Sequence, residues 1–199
     1  MRLVIAALIT VLMASSMMVA SARGNTTWAD LDGSQMQKML QHEGYETSYG
    51  EGYTLEDIKV NDKYVTIMND DYDLYLVTYY GYNWSQDSWI ENGFKLEDEL
   101  NANSTSITFS LGQNLNMGGQ SQPPAIIVEK KYPHESLEGM ATPESLSKLV
   151  VDFSNEVDGI TSDNVDFAKS CTPEKMPQYE LITGLFRNGG DDVGTVVAM

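Results

Sequence analysis

Two histidines and one cysteine are the chain's imidazole and thiol groups, the side chains that serve near neutral pH as nitrogen or sulfur ligand, imidazole base or thiolate nucleophile. His42-Glu43-Gly44-Tyr45-Glu46 and His134-Glu135-Ser136-Leu137-Glu138 each place a histidine ahead of two acids, in the order His-Glu-x-x-Glu. A zinc hydrolase needs two ligands one helical turn apart and a separately positioned base. Gly44 would end a helix inside the first copy, while Pro133 and Gly139 bracket the second. Two histidines cannot build a three-histidine site, and both copies read as polar chemistry at the ends of elements. Asn69-Asp70-Asp71-Tyr72-Asp73 offers oxygen ligands for Ca²⁺, but Tyr75 takes the third alternate position and no bending glycine or distal bidentate Glu follows. A hairpin turn is expected there instead. Cys171 is the lone cysteine, so no intrachain disulfide can form, and no histidine stands in a recognisable pattern with it. The chain holds no nucleophile elbow, phosphate loop or dinucleotide fingerprint. Paired carboxylates arise by chance among 29 acidic residues and do not support a glycosidase. No catalytic residue, metal or cofactor is expected.

The aromatic residues are more informative. Tyr72, Tyr75, Tyr79, Tyr80, Tyr82, Trp84 and Trp89 put seven large amphipathic rings within 18 residues. Such rings give wide contact area at low entropic cost, and they serve equally well to fill a core or to make a recognition surface. A strand with rings on both sides must hide one face under its own helices; the other face needs a helix or a partner.

The elements that must position these groups follow from periodicity. Ser34 can cap a short helix carrying Met36, Met39 and Leu40 on one side, with Gly44 in the left-handed position that ends it. From Tyr45 the period changes to two. Ile58 and Val60, a turn at Asn61-Asp62, and Val65 and Ile67 make a hairpin, and Asn69-Asp70-Asp71 turns into a long strand over 72–82. That strand sets Leu74, Leu76, Thr78 and Tyr80 on one face and Tyr75, Val77 and Tyr79 on the other. Ser85 or Asp87 can cap a second helix over about 88–101, with Trp89, Leu96 and Leu100 in one stripe, Ile90 and Phe94 beside it, and Gly93 weakening it. Ile107, Phe109 and Leu111 alternate as a fourth strand. The segment 112–124 is too polar to pack, and Ala125 to Tyr132 forms a fifth strand buried on both faces. Thr142, Pro143 and Glu144 open a third helix along Leu146, Leu149, Val150, Phe153 and Val157, which Gly159 should end. The predicted order is α-β-β-β-α-β-β-α, an α+β domain with one antiparallel sheet of about five strands and three helices mainly on one face.

The 199 residues and 42% hydrophobic content suffice for one domain with a real core. Met1-Arg2, an uncharged apolar run from Leu3 to Val19, and the small residues Ala20-Ser21-Ala22 form a secretory signal, with cleavage between Ala22 and Arg23 expected over retention as an anchor. Residues 23–33 read as a lead-in, 34–160 as the domain, and 161–199 as a tail, partly ordered at most. Cleavage would leave 29 acids against 11 bases, a formal charge of −18. That balance argues against a nucleic-acid or anionic-membrane binder, both of which require a basic surface. A periplasmic or secreted location is expected, with no membrane association after cleavage.

Three segments resemble the YbjN family, also described as a bacterial sensory transduction regulator, whose fold is similar to type III secretion chaperones. Ser34 to Tyr45 resembles its opening helix, which ends in Gly-Tyr. Tyr72 to Tyr80 resembles its central strand, and Thr142 to Phe153 its closing helix. The likeness covers about residues 30–160, with Glu99-Leu-Asn-Ala-Asn103 a loose match and 113–124 a longer insertion. It implies a non-enzymatic, exported protein-interaction domain with a regulatory or chaperone-like role, and a homodimer by analogy with the secretion chaperones. The same analogy makes Tyr79, Tyr80, Tyr82, Trp84, Trp89 and Phe94 the candidate partner-binding residues. The alternative is a periplasmic acidic inhibitor or ligand-binding protein aimed at a basic target such as a cell-wall enzyme. A hydrolase would require His42 or His134 in a pocket beside a Ser, Cys or acid.

Overall fold

The computed structural model describes residues 26–48, 50–83, 89–112 and 125–175, with only the backbone of Glu51, Trp89 and Ile90. The expected signal segment 1–22, its junction at Ala22 and Arg23, Trp84 and the segment 176–199 lie outside the described residues.

Helix α1, Gly33–His42, starts one residue before the expected cap: Asp32, not Ser34, accepts the Gln35 N–H, and the Gln35 side chain accepts the Asp32 N–H in return. This capping box satisfies two of the donors that every helix start leaves free. Gly44 sits at φ +89° just beyond the helix, where a side chain would be strained. The lead-in contributes to the core, because Trp28 and Leu31 are both buried in the cluster that α1 joins.

The strands β1 (Gly50–Glu51), β2 (Thr54–Val60), β3 (Lys63–Asn69), β4 (Asp73–Tyr82), β5 (Thr108–Gly112) and β6 (Ala125–Pro133) form an antiparallel sheet in the order β1-β2-β3-β4-β6-β5. Helix α2, Trp89–Ala102, links β4 to β5, and α3, Pro143–Thr161, follows β6 after a 3-10 turn at His134–Ser136. Within this lies the expected α-β-β-β-α-β-β-α order. Thr142 caps α3 through the Ser145 N–H, with Pro143 in the first turn. Gly159 does not end α3; the helix runs on to Thr161, since nothing forces the chain out of the helical region there.

Beyond α3 the chain adds two elements that its weak pattern hides. Helix α4, Val165–Ser170, is capped by Asn164, and β7, Cys171–Glu174, joins the sheet. β4 is therefore paired along one edge with β6 and along the other with β3 over Leu74–Thr78, then with β7 over Tyr79–Tyr82. No short strand could earn a place alone; its backbone groups are satisfied only because β3 stops short and leaves half an edge open.

The helices lie on one face. Met36, Met39 and Leu40 of α1, Leu96 and Leu100 of α2, Leu146, Val150, Phe153 and Val157 of α3 and Phe167 of α4 share a core with the first-face residues of the strands. Those strand residues include Val65, Ile67, Leu74, Leu76, Tyr80, Phe109, Ile126 and Val128. Each fully buried large side chain contributes about 1.5–3 kcal/mol. The opposite face carries a smaller cluster of Met68, Val77, Tyr79 and Ala125, with Tyr75 and Ile127 packed against it.

Candidate functional site

His134 and the acidic turn meet at one end of the sheet. Asn69, the last residue of β3, is 1% exposed and fully engaged. Its Nδ2 donates to the carbonyls of Trp28 (2.8 Å) and Leu31 (2.9 Å), and its backbone N–H donates to the Tyr53 carbonyl (2.8 Å). With both amide hydrogens committed, Oδ1 can only accept, so the 2.8 Å contact to His134 Nε2 requires the proton on that nitrogen. The His134 N–H donates in turn to the Tyr72 carbonyl. This constellation bolts the lead-in, β3, β4 and the end of β6 together, and it fixes the imidazole tautomer with its lone pair on Nδ1. His42 lies exposed in the last turn of α1.

The acidic turn is likewise occupied. Asp70 Oδ1 accepts from the N–H groups of Tyr72 (2.8 Å) and Asp73 (2.7 Å), the local bonding that makes Asp a turn former. Asp73 Oδ2 pairs with Lys131 Nζ at 2.7 Å, and that ammonium also lies 5.7 Å from the centre of the Tyr75 ring. Among the described residues, no group of three or more His, Cys, Asp or Glu side chains converges to hold a metal.

Cys171 opens β7 opposite Tyr82, and burial pushes its thiol up to about 12, the reverse of what a thiolate nucleophile requires. Burial likewise raises Tyr82 to about 12, ahead of smaller contributions from Cys171 and Asp166. Tyr75 rises to about 12 through burial first and the charges of Asp70 and Asp73 second.

The candidate partner-binding residues do not share a surface. Tyr79, Tyr80 and Tyr82 are buried, and strand alternation sends Tyr79 to the second face while Tyr80 and Tyr82 join the helix-covered core. Tyr80 packs edge-on against Phe167 at 4.8 Å between ring centres. Phe94 is exposed on α2, the side chain of Trp89 is outside the described residues, and so is Trp84. The exposed rings at the acidic end are instead Tyr53 (58%) and Tyr72 (77%), which precede β2 and β4. Tyr72 was legible within the aromatic run, but its place outside the strand was not, and Tyr53 carries no sequence signal.

Two further constellations escaped the sequence. Lys63 is 1% exposed, with its ammonium 2.5 Å from Asp158 near the end of α3. Asn101 of α2 donates to the Phe109 carbonyl (2.8 Å) and accepts the Phe109 N–H (2.9 Å), while Glu97 accepts the Leu111 N–H. Among the described residues no strand pairs with the outer edge of β5, and these two side chains bond it instead.

No protein-family model matches the chain, and no curated protein matches it in sequence. Its fold is similar to the crystal structure of YbjN from E. coli, at 12% identity and a TM-score of 0.49, covering 70% of this chain and 95% of that one.

Proposed function

We propose that this protein is an exported, acidic, non-enzymatic domain that acts by binding a basic protein partner. The observation that carries the reading is the pair of exposed rings, Tyr53 and Tyr72, at the sheet end that also holds Asp70 and Asp71. Rings of this kind anchor contacts, and a formal charge of −17 steers a cationic partner toward them. The engagement of His134 by Asn69 and the burial of the Cys171 thiol support a structural use for the groups that chemistry would otherwise recruit. Export rests on the apolar leader and its small-residue junction. A cell-wall enzyme with a basic surface fits the same charge logic, as does a client presented to a chaperone-like or regulatory domain.

The test is capture from a cell-envelope extract by the full chain beside its Tyr53→Ala/Tyr72→Ala variant. A basic protein retained in stoichiometric amount, released well above physiological salt and lost in the variant is the expected result. Equal capture by the variant, or capture indifferent to salt, would overturn the reading. Protein recovered from the envelope should begin at Arg23, and light scattering should show whether the free form is one copy or two.

A further inference from the structure

The second face of the sheet is buried, yet no described helix lies on it. Met68 and Val77 are 0% exposed, Tyr79 is 2% and Ala125 is 1%, and among the described residues the cluster they form contains strand residues alone. A sheet face left to water would expose such side chains at its centre, so something apolar must rest across them.

The paths by which the chain enters and leaves the fold point to the occupant. It enters on the helix side: Thr26 bridges to Ala141 just ahead of α3, and Trp28 and Leu31 join the core on that face. It leaves on the other. After β7, Lys175 Nζ pairs with Asp57 at 2.9 Å and sits 5.1 Å from the centre of the Tyr64 ring. Tyr64 is in register with Thr66 and Met68 on the second face, because its neighbours Val65 and Ile67 point into the helix-covered core. The described chain thus ends pinned at the rim of that face.

Next in the sequence come Met176-Pro-Gln and then Tyr179-Glu-Leu-Ile-Thr-Gly-Leu-Phe186, which holds Tyr179, Leu181, Ile182, Leu185 and Phe186. From Lys175 to Phe186 an extended chain reaches roughly 35 Å, enough to cross a sheet whose strands are about 4.8 Å apart. The other candidate from within the body, 113–124, is almost entirely Gly, Gln, Asn, Ser and Pro, with Leu115 and Met117 its apolar residues.

We propose that the second face of the sheet is the docking site of the chain's own segment Tyr179–Phe186, anchored at its start by the Lys175–Asp57 pair. The inference is independent of the partner reading above, since it concerns the opposite face from the helices and not the Tyr53 and Tyr72 end.

The test is thiol labelling of the full chain carrying Cys171→Ser and a reporter, Ile127→Cys, on the second face. Leu181→Asp/Phe186→Asp should speed labelling of that reporter about tenfold or more, while a Leu149→Cys reporter on α3 keeps its rate. Unchanged labelling at position 127 overturns the proposal. So does protection that grows with protein concentration, because a second copy is then the cover. Should the double aspartate variant accelerate both reporters, and so report unfolding, the decision passes to a full chain carrying Cys171→Ser, Ile127→Cys and Leu181→Cys. An intrachain disulfide formed under mild oxidation supports docking, and its absence at concentrations where the chain is monomeric refutes it.

Discussion

The two faces of one sheet are built on different terms. The first mixes aliphatic residues with buried rings such as Tyr80, Phe109 and Phe153 and is sealed by four helices, and its main ionic feature, Lys63 with Asp158, fastens the far end of α3 to the β2–β3 hairpin. The second mixes Met68, Val77 and Ile127 with Tyr64, Tyr75 and Tyr79, and carries titratable side chains, among them Glu129 and Lys131 on β6 and Lys175 after β7. The same strands supply both, so the difference lies in alternate residues of a single backbone. The helix-covered face buries its rings whole, Tyr80 and Tyr82 included, whereas the second face leaves Tyr64, Tyr75 and Ile127 only partly buried, so that polar ends can turn outward.

That contrast can be broken or sharpened experimentally. The largest effect belongs to the helix-covered core: Phe153→Ala should cost about 3–5 kcal/mol in urea unfolding, because α3 and the sheet cannot collapse into the space. Val77→Ala on the second face should cost roughly half as much as Val150→Ala in the helix-covered core, and equal losses would mean that both faces are packed alike. Next, Asp158→Asn strips the buried Lys63 of its nearest partner and should cost about 2 kcal/mol, Asp62 at 3.7 Å remaining to moderate it. Lys63→Met should be milder, since it removes the charge that needs compensation. Asn101→Ala should cost about 1–2 kcal/mol and, more tellingly, raise hydrogen exchange at the Phe109 amide. An unchanged exchange rate would show that the outer edge of β5 is protected by something other than α2.

The smallest effect is a pH dependence. Burial raises Glu129 above the ordinary carboxylate range, with Lys131 opposing it. Burial raises Glu56 and Glu97 as well. A carboxyl whose folded pKa is raised binds more protons folded than unfolded, so stability falls as pH rises between its unfolded and folded values. Unfolding midpoints should therefore increase as pH drops from neutrality toward the carboxylate range, and Glu129→Gln should flatten part of that slope. Glu156 acts oppositely. Its burial would raise it, but bonds from Lys130 and Ser106 outweigh that and hold it low, so its contribution is lost at the acid end of the range.

Local chemistry made much of the fold readable. Thr142-Pro143 announced α3, Gly44 closed α1, and the alternation of β4 divided Leu74, Leu76 and Tyr80 from Tyr75, Val77 and Tyr79 as the structure does. The site was harder to read because residue type and placement separate there. A tyrosine in an alternating run looks the same whether it fills a core, as Tyr80 does, or stands in water, as Tyr72 does. His134 and Asn69 are 65 residues apart, and nothing local couples them.

Periodicity, caps and turn residues act over a few bonds, so the amino-acid order alone determined the principal helices, the five main strands and which residues of β4 share a face. Pairing across long stretches of chain is different, because a backbone edge or a buried charge accepts whatever partner folding brings to it. Only the tertiary structure decided that β7 completes the edge β3 leaves open, that Trp28 and Leu31 belong to the core, that Asp158 compensates Lys63, and that Asn101 closes β5.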